Sequence, residues 1–117
     1  MRKGTYGGAM LSLQSNARIL FCQHPIDMRK GFEGLGAIVM NLFDVELTSG
    51  AYFVFCNKQR NRMKVLYWDG DGLALWYKRL EKGFFSRKET GRFLSRRDFF
   101  MLLEGITPKC IENRYKI

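Results

Sequence analysis

The residues of this chain best suited to chemistry are basic, and the chemistry is the recognition of anions. Arg29 and Lys30 stand side by side. Lys58, Arg60, Arg62 and Lys64 recur at every second position, Lys78 and Arg79 follow, and Arg87, Lys88, Arg96 and Arg97 close the series. Such side chains donate charge-assisted hydrogen bonds to phosphate oxygens, and a row of them releases counterions from a polyanion. The 117 residues carry a net charge of +9, and between Lys58 and Arg97 twelve cations stand against four carboxylates. Charge concentrated in this way points to nucleic acid, beyond what a soluble surface needs.

Other reactive groups form weaker patterns. Tyr67, Trp68, Trp76 and Tyr77 offer rings for stacking on unpaired bases, but strand alternation puts one face of each strand in a core, leaving at most about half of them exposed. Asp69-Gly70-Asp71-Gly72 begins like a calcium loop. Its twelfth position is Leu80 where a Glu is required, so turn chemistry accounts for it better. A metal-dependent nuclease built on Asp69 and Asp71 together with Asp27 or Asp44 has no compact set of carboxylates in sequence. Cys22-Gln23-His24 offers two metal ligands without the partner spacing of a zinc site, so no metal and no cofactor is expected. His24 is the only histidine, which removes most Ser-His and Cys-His arrangements except one built on His24 itself. Cys22, Cys56 and Cys110 are odd in number and far apart, as in a reducing compartment.

The length suits one domain with a modest core. A leader over 1–9, a single domain over 10–108 and a tail over 109–117 are expected. No apolar run approaches the roughly 18 to 20 residues that span a bilayer, and no secretory signal opens the chain, so a cytoplasmic protein is expected.

The elements that must hold these residues follow from periodicity. Arg18–Cys22 and Ala51–Cys56 read as strands, the second apolar on both faces and therefore central. Arg62–Trp68 and residues 73–80 flank Asp-Gly turn residues as a β-hairpin, and Asn57–Asn61 joins 51–56 to 62–68 as another. Met28, Phe32, Leu35, Val39, Leu42 and Phe43 define one face of a helix over 28–43, with Asp27 as its cap. Gly31, Gly34 and Gly36 in this helix suggest close packing against a neighbour. Phe84-Phe85 reads as a short fourth strand. Ser95-Arg96-Arg97-Asp98 resembles a capping box opening a helix over 96–104, with Gly105 as its stop. Arg96 and Arg97 at that positive helix end hint at an external anion. The expected fold is α+β, an antiparallel β-meander of three to five strands with two packed amphipathic helices.

Asp27-Met-Arg-Lys-Gly-Phe-Glu-Gly-Leu35, Phe53-Val-Phe55, Lys64-Val-Leu-Tyr-Trp-Asp-Gly-Asp-Gly-Leu73 and Lys78-Arg-Leu-Glu-Lys-Gly83 together resemble one family. It is the TnpB, or second-open-reading-frame, accessory protein of bacterial insertion sequences of the sixty-six family, distinct from the RNA-guided nuclease that shares the name. The likeness runs from about Ile19 to Ile106. Ile26 stands where a small hydroxyl residue usually precedes the Asp-Met-Arg-Lys-Gly motif, and the Trp-Pro that often follows Phe84 is missing. The resemblance implies a role in transposition beside a separate transposase, and no defined chemistry. The combined expectation is a non-catalytic DNA-binding accessory factor whose partners are DNA, the transposase and other accessory proteins of the element. The alternative is a protein–protein adaptor without DNA contact, in which Gly31, Gly34 and the last helix make the contact.

Overall fold

In the computed structural model of the chain, residues 5–6, 17–85 and 93–103 are described. Strands β1 (Thr5–Tyr6), β2 (Ile19–Phe21), β3 (Tyr52–Cys56), β4 (Arg62–Trp68), β5 (Leu73–Arg79) and β6 (Phe93–Leu94) form one sheet in the order β1-β5-β4-β3-β2-β6. Helix α1 spans Phe32–Leu42 and α2 spans Arg96–Leu103. The fold is α+β.

The antiparallel meander β3-β4-β5 is the centre of the sheet, with Val54 opposite Val65 and Val65 opposite Trp76. The β4–β5 connection is a four-residue loop rather than a two-residue turn. Trp68 pairs with Leu73, the Asp69 N–H donates to the Gly72 carbonyl at 2.8 Å, and Gly70 takes φ 85°. That left-handed conformation is open to Gly without a Cβ clash. β2 adds to β3 in parallel, Leu20 beside Phe53. A parallel neighbour needs a crossover, and α1 supplies it. The sheet is therefore mixed. Phe84-Phe85 is not a strand; the outer antiparallel partner of β2 is β6.

Both faces of the sheet are covered. On one, Leu20, Phe53, Phe55, Leu66 and Leu75 meet Leu35 and Val39 of α1. On the other, Ile19, Val54, Met63, Val65 and Trp76 meet Phe85 and the α2 residues Phe99 and Leu102. β3 is buried at every position, as its two-sided apolar pattern predicts. The four candidate stacking rings stay within the expected limit of about half exposed: Trp68 and Tyr77 are half-buried, whereas Tyr67 and Trp76 are both 5% exposed, and Tyr67 stacks on Tyr52 at 4.8 Å. A second helix on the second face removes Tyr67 and Trp76 from solvent.

The first helix begins later than its periodicity suggests. Asp27 does not cap it. The Asp27 carboxylate instead accepts the Arg29 backbone N–H at 2.9 Å and its guanidinium at 2.7 to 3.1 Å, closing a tight turn. Gly31 is the N-cap, with no side-chain cap bond. The glycines do not mark a close approach along the helix either. Gly31 has open space around it, a Cβ at Gly34 would meet only the Lys30 side chain, and Gly36 alone faces another element, Leu47 at 3.4 Å. The second helix starts as its sequence indicates: the Ser95 hydroxyl accepts the Asp98 N–H at 3.0 Å. Gly105 and 109–117 lie outside the described residues.

Candidate nucleic-acid interface

Strand register sorts the basic residues by position. β3 ends at Cys56 opposite Met63, so the 57–61 loop projects from one end of the sheet. Arg62 lies directly opposite Arg79, and Met63 opposite Lys78, at that same end. Two further segments join them there. The Ile26 N–H donates to the Cys56 carbonyl at 2.9 Å, bringing in 25–29. The Leu80 and Phe85 N–H groups donate to the Asn61 and Arg60 carbonyls at 2.8 and 2.6 Å, bringing in 80–85. Arg29, Lys30, Lys58, Arg60, Arg62, Lys78 and Arg79 thus converge from separate parts of the chain.

The loop that carries Lys58 and Arg60 is organised by one side chain. Asn57 Oδ1 accepts the N–H groups of Asn61 and Arg62, both at 3.0 Å. Asn57 Nδ2 donates to Asn61 Oδ1 at 2.8 Å and to Gln59 Oε1 at 3.3 Å. Within this frame Arg60 adopts φ 60°, the only non-glycine positive φ among the described residues. An arginine there costs about 1 kcal/mol or more in backbone strain. Strain of this kind gathers at functional sites.

Two depressions flank the loop. On the α1 side, a groove of about 670 Å³ runs between Pro25–Arg29 on one wall and Asn57, Lys58, Gln59, Asn61 and Arg62 on the other. Arg29 is 91% exposed in its side chain and pairs with Asp27 at 2.7 Å. That guanidinium holds the Asp27 carboxyl far below the usual carboxylate range. On the α2 side, a cavity of about 160 Å³ has Gln23, His24, Lys58, Arg60, Phe85 and Leu102 in its lining.

Lys64 departs from the expected contact set. It is 7% exposed, and its ammonium donates to the carbonyls of Met28 and Lys30, both at 2.8 Å, while lying 4.9 Å from the Tyr77 ring centroid. Burial pushes its pKa down, with the Asp27 charge opposing. An ammonium with three donors suits this role: it bridges the turn from which Arg29 and Lys30 project. Hydropathy alone does not reveal it, since Lys is almost never fully buried unless paired.

Arg96 and Arg97 lie elsewhere. Leu94 pairs with Ile19, and Arg18 meets Tyr52, so the start of α2 is at the opposite end of the sheet. Six residue steps along β4 separate the two ends, about 20 Å. Arg96 also has a local partner, the Phe100 ring one helical turn on at 5.7 Å. An external anion is not needed to explain it. Arg87 and Lys88 lie outside the described residues.

The carboxylates are similarly divided. Asp69 and Asp71 occupy the far hairpin and Asp27 the basic end. Among the described residues no three His, Cys, Asp or Glu side chains are placed to hold a metal ion. Cys22 is buried, which pushes its thiol pKa up, and its S–H points to the His24 carbonyl at 3.5 Å. A buried neutral thiol is a poor nucleophile.

A family model described as IS66 Orf2 like protein matches residues 17–113. Two similar proteins come from Sinorhizobium fredii (strain NBRC 101917 / NGR234). Uncharacterized protein y4jC is 33% identical over 100 residues, covering 83% of this chain and 86% of its own. Uncharacterized protein y4hO is 34% identical over 76 residues, covering 65% and 66% respectively. No solved structure gives a significant match.

Proposed function

The chain belongs to the IS66 Orf2-like family of insertion-sequence accessory proteins, and from that premise we propose that it is a non-catalytic DNA-binding factor acting beside the element's transposase. The observation that carries this reading is the gathering of Arg29, Lys58, Arg60, Arg62, Lys78 and Arg79 at one end of the sheet. Cations held on an ordered loop and two strand ends neutralise phosphates and fix the orientation of the bound backbone. Each phosphate neutralised adds to the salt dependence of binding. Separation of Asp27 from Asp69 and Asp71 supports a binding role over metal-assisted cleavage.

The test is a salt titration of binding to the element's terminal repeat and to random duplex of equal length. Wild type is expected to bind with a steep salt slope. Charge reversal by R60E and R62E is expected to weaken binding and flatten the slope by about 2. Unchanged binding by that double variant removes the loop from the interface.

A second reading rests on α1. Phe32, Met40 and Leu42 are 41%, 74% and 43% exposed, on a helix whose only charged residue is Glu33. Exposed apolar side chains on a nearly uncharged helix suit a protein partner such as the transposase. Capture of the transposase that survives nuclease treatment and is lost in an M40E variant would support an adaptor role.

A further inference from the structure

The stretch from 57 to 62 alternates amides with cations: Asn57, Gln59 and Asn61 stand between Lys58, Arg60 and Arg62. A phosphate takes donors only, so the cations suffice for backbone contact and leave the amides to be explained. Asn57 and Asn61 are half-buried and bond to each other and to the loop backbone. Gln59 is the exposed one of the three. Its Oε1 accepts Asn57 Nδ2 at 3.3 Å, which orients the amide. Its NH2 group and a second lone pair on Oε1 are left for an outside partner. A donor beside an acceptor matches the edge of a base, where adenine presents N7 next to N6–H2.

The loop has the shape that base contact requires. It borders both depressions and so stands as a ridge between them: Lys58 lines both, Gln59 and Arg62 line the α1-side groove, and Arg60 lines the α2-side cavity. Lys58, Gln59 and Arg60 are all exposed. The ridge is the closed end of the β3–β4 hairpin, and the major groove of duplex DNA, about 12 Å wide, admits a two-stranded ribbon. Arg29 lines the opposite wall of the α1-side groove with its side chain 91% exposed, in position to hold a phosphate beside an inserted ridge. The bonds from Asn57 fix the loop before DNA arrives, so little order is lost on binding.

We propose that the 57–61 hairpin tip enters the major groove of duplex DNA and that Gln59 reads an adenine there, its NH2 donating to N7 and its Oε1 accepting from N6–H. The inference rests on the DNA-binding reading above and adds base selection, which cations on phosphates do not provide. It divides the loop by side-chain type: the cations set affinity and register, and the amide at the tip sets sequence.

The experiment binds the full chain to a pool of duplexes with randomised centres and sequences the bound fraction. Wild type is expected to favour an A·T pair at one position by about 5- to 100-fold over the other pairs. Placing 7-deazaadenine there, which lacks only the N7 acceptor, is expected to remove most of that advantage. Q59A is expected to lose the preference, and Q59E to shift it toward cytosine, whose N4–H2 donates to a carboxylate. Both changes sit on an exposed position, and an unchanged urea midpoint checks that the variants fold. R29A is expected to weaken binding to all members alike and to keep the preference. Retained binding of the pool with no base enriched overturns base reading and leaves the DNA-binding reading standing. A preference for the same base in wild type, Q59A and Q59E overturns the assignment to Gln59. No binding of the pool at low salt overturns the DNA-binding reading and this one together.

Discussion

Two side chains at the basic end do opposite work. Lys64 faces inward and holds the turn of 28–30 through two carbonyl bonds, whereas Arg60 faces solvent from a strained backbone. Replacing Lys64 by Met leaves the Met28 and Lys30 carbonyls without their donor, and a cost of about 2–3 kcal/mol is expected in urea unfolding. The pH dependence has a defined sign. Because burial lowers the folded pKa, the unfolded chain binds the extra proton between that value and the ordinary 10.5. Wild-type stability should therefore gain from this group as pH rises through that interval, and K64M should lack the gain, so the gap between them widens. A gap that narrows would show that Lys64 is not desolvated by the fold. R60G should show the reverse trade: relief of the left-handed strain stabilises the protein by about 1 kcal/mol, while DNA affinity falls. Loss of stability in R60G would mean that the arginine side chain contributes to the fold. Neither role is visible in the spacing 58, 60, 62, 64, which presents four equivalent cations. Register and burial make the distinction, because position 64 falls under the turn before α1 and position 62 does not.

At the scale of elements, what the sequence reveals depends on how local the deciding interaction is. The hairpin 62–68 with 73–79 is legible because its turn glycine and its apolar runs are contiguous. The start of α2 is legible because Ser95 and Asp98 are three residues apart and their bond is local. S95A is expected to cost about 1 kcal/mol by freeing the Asp98 N–H, measured as a lowered urea midpoint at constant slope. An unchanged midpoint would mean that Phe99 and Leu102 hold the helix without its cap. The start of α1 is not legible: Asp27 has the type and place of a cap, but Arg29 two residues on competes for its carboxylate and wins with several bonds. The direction of β2 is hidden too, since a three-residue apolar run carries no signal of parallel or antiparallel pairing. Phe84-Phe85 looks like a strand by composition. Only the carbonyl of Arg60, distant in sequence, decides that one ring enters the core while the other stays outside.

On the scale of the whole molecule, the sheet works as a spacer between two differently charged ends. The loop end presents Lys58, Arg60, Arg62 and Arg79, and the other end presents the Asp69–Gly72 loop and the beginning of α2. If one end binds DNA, the charge-reversal pair R96E and R97E should alter affinity less than R60E and R62E at moderate salt, because a span of about 20 Å exceeds the roughly 8 Å Debye length there. Equal losses from the two pairs would mean that the bound DNA reaches both ends. Net charge and its bias to the second half are legible in the sequence, but the division of that charge between ends is a product of topology. The two-sided covering of the sheet has a consequence for how the protein is made. The β3-β4-β5 meander and α1 are complete once synthesis passes residue 79, yet Phe85, Phe99 and Leu102 reach the ribosome exit later. Until then the nascent chain displays Tyr52, Val54, Val65, Tyr67 and Trp76 as an open greasy sheet, a target for chaperones and for self-association.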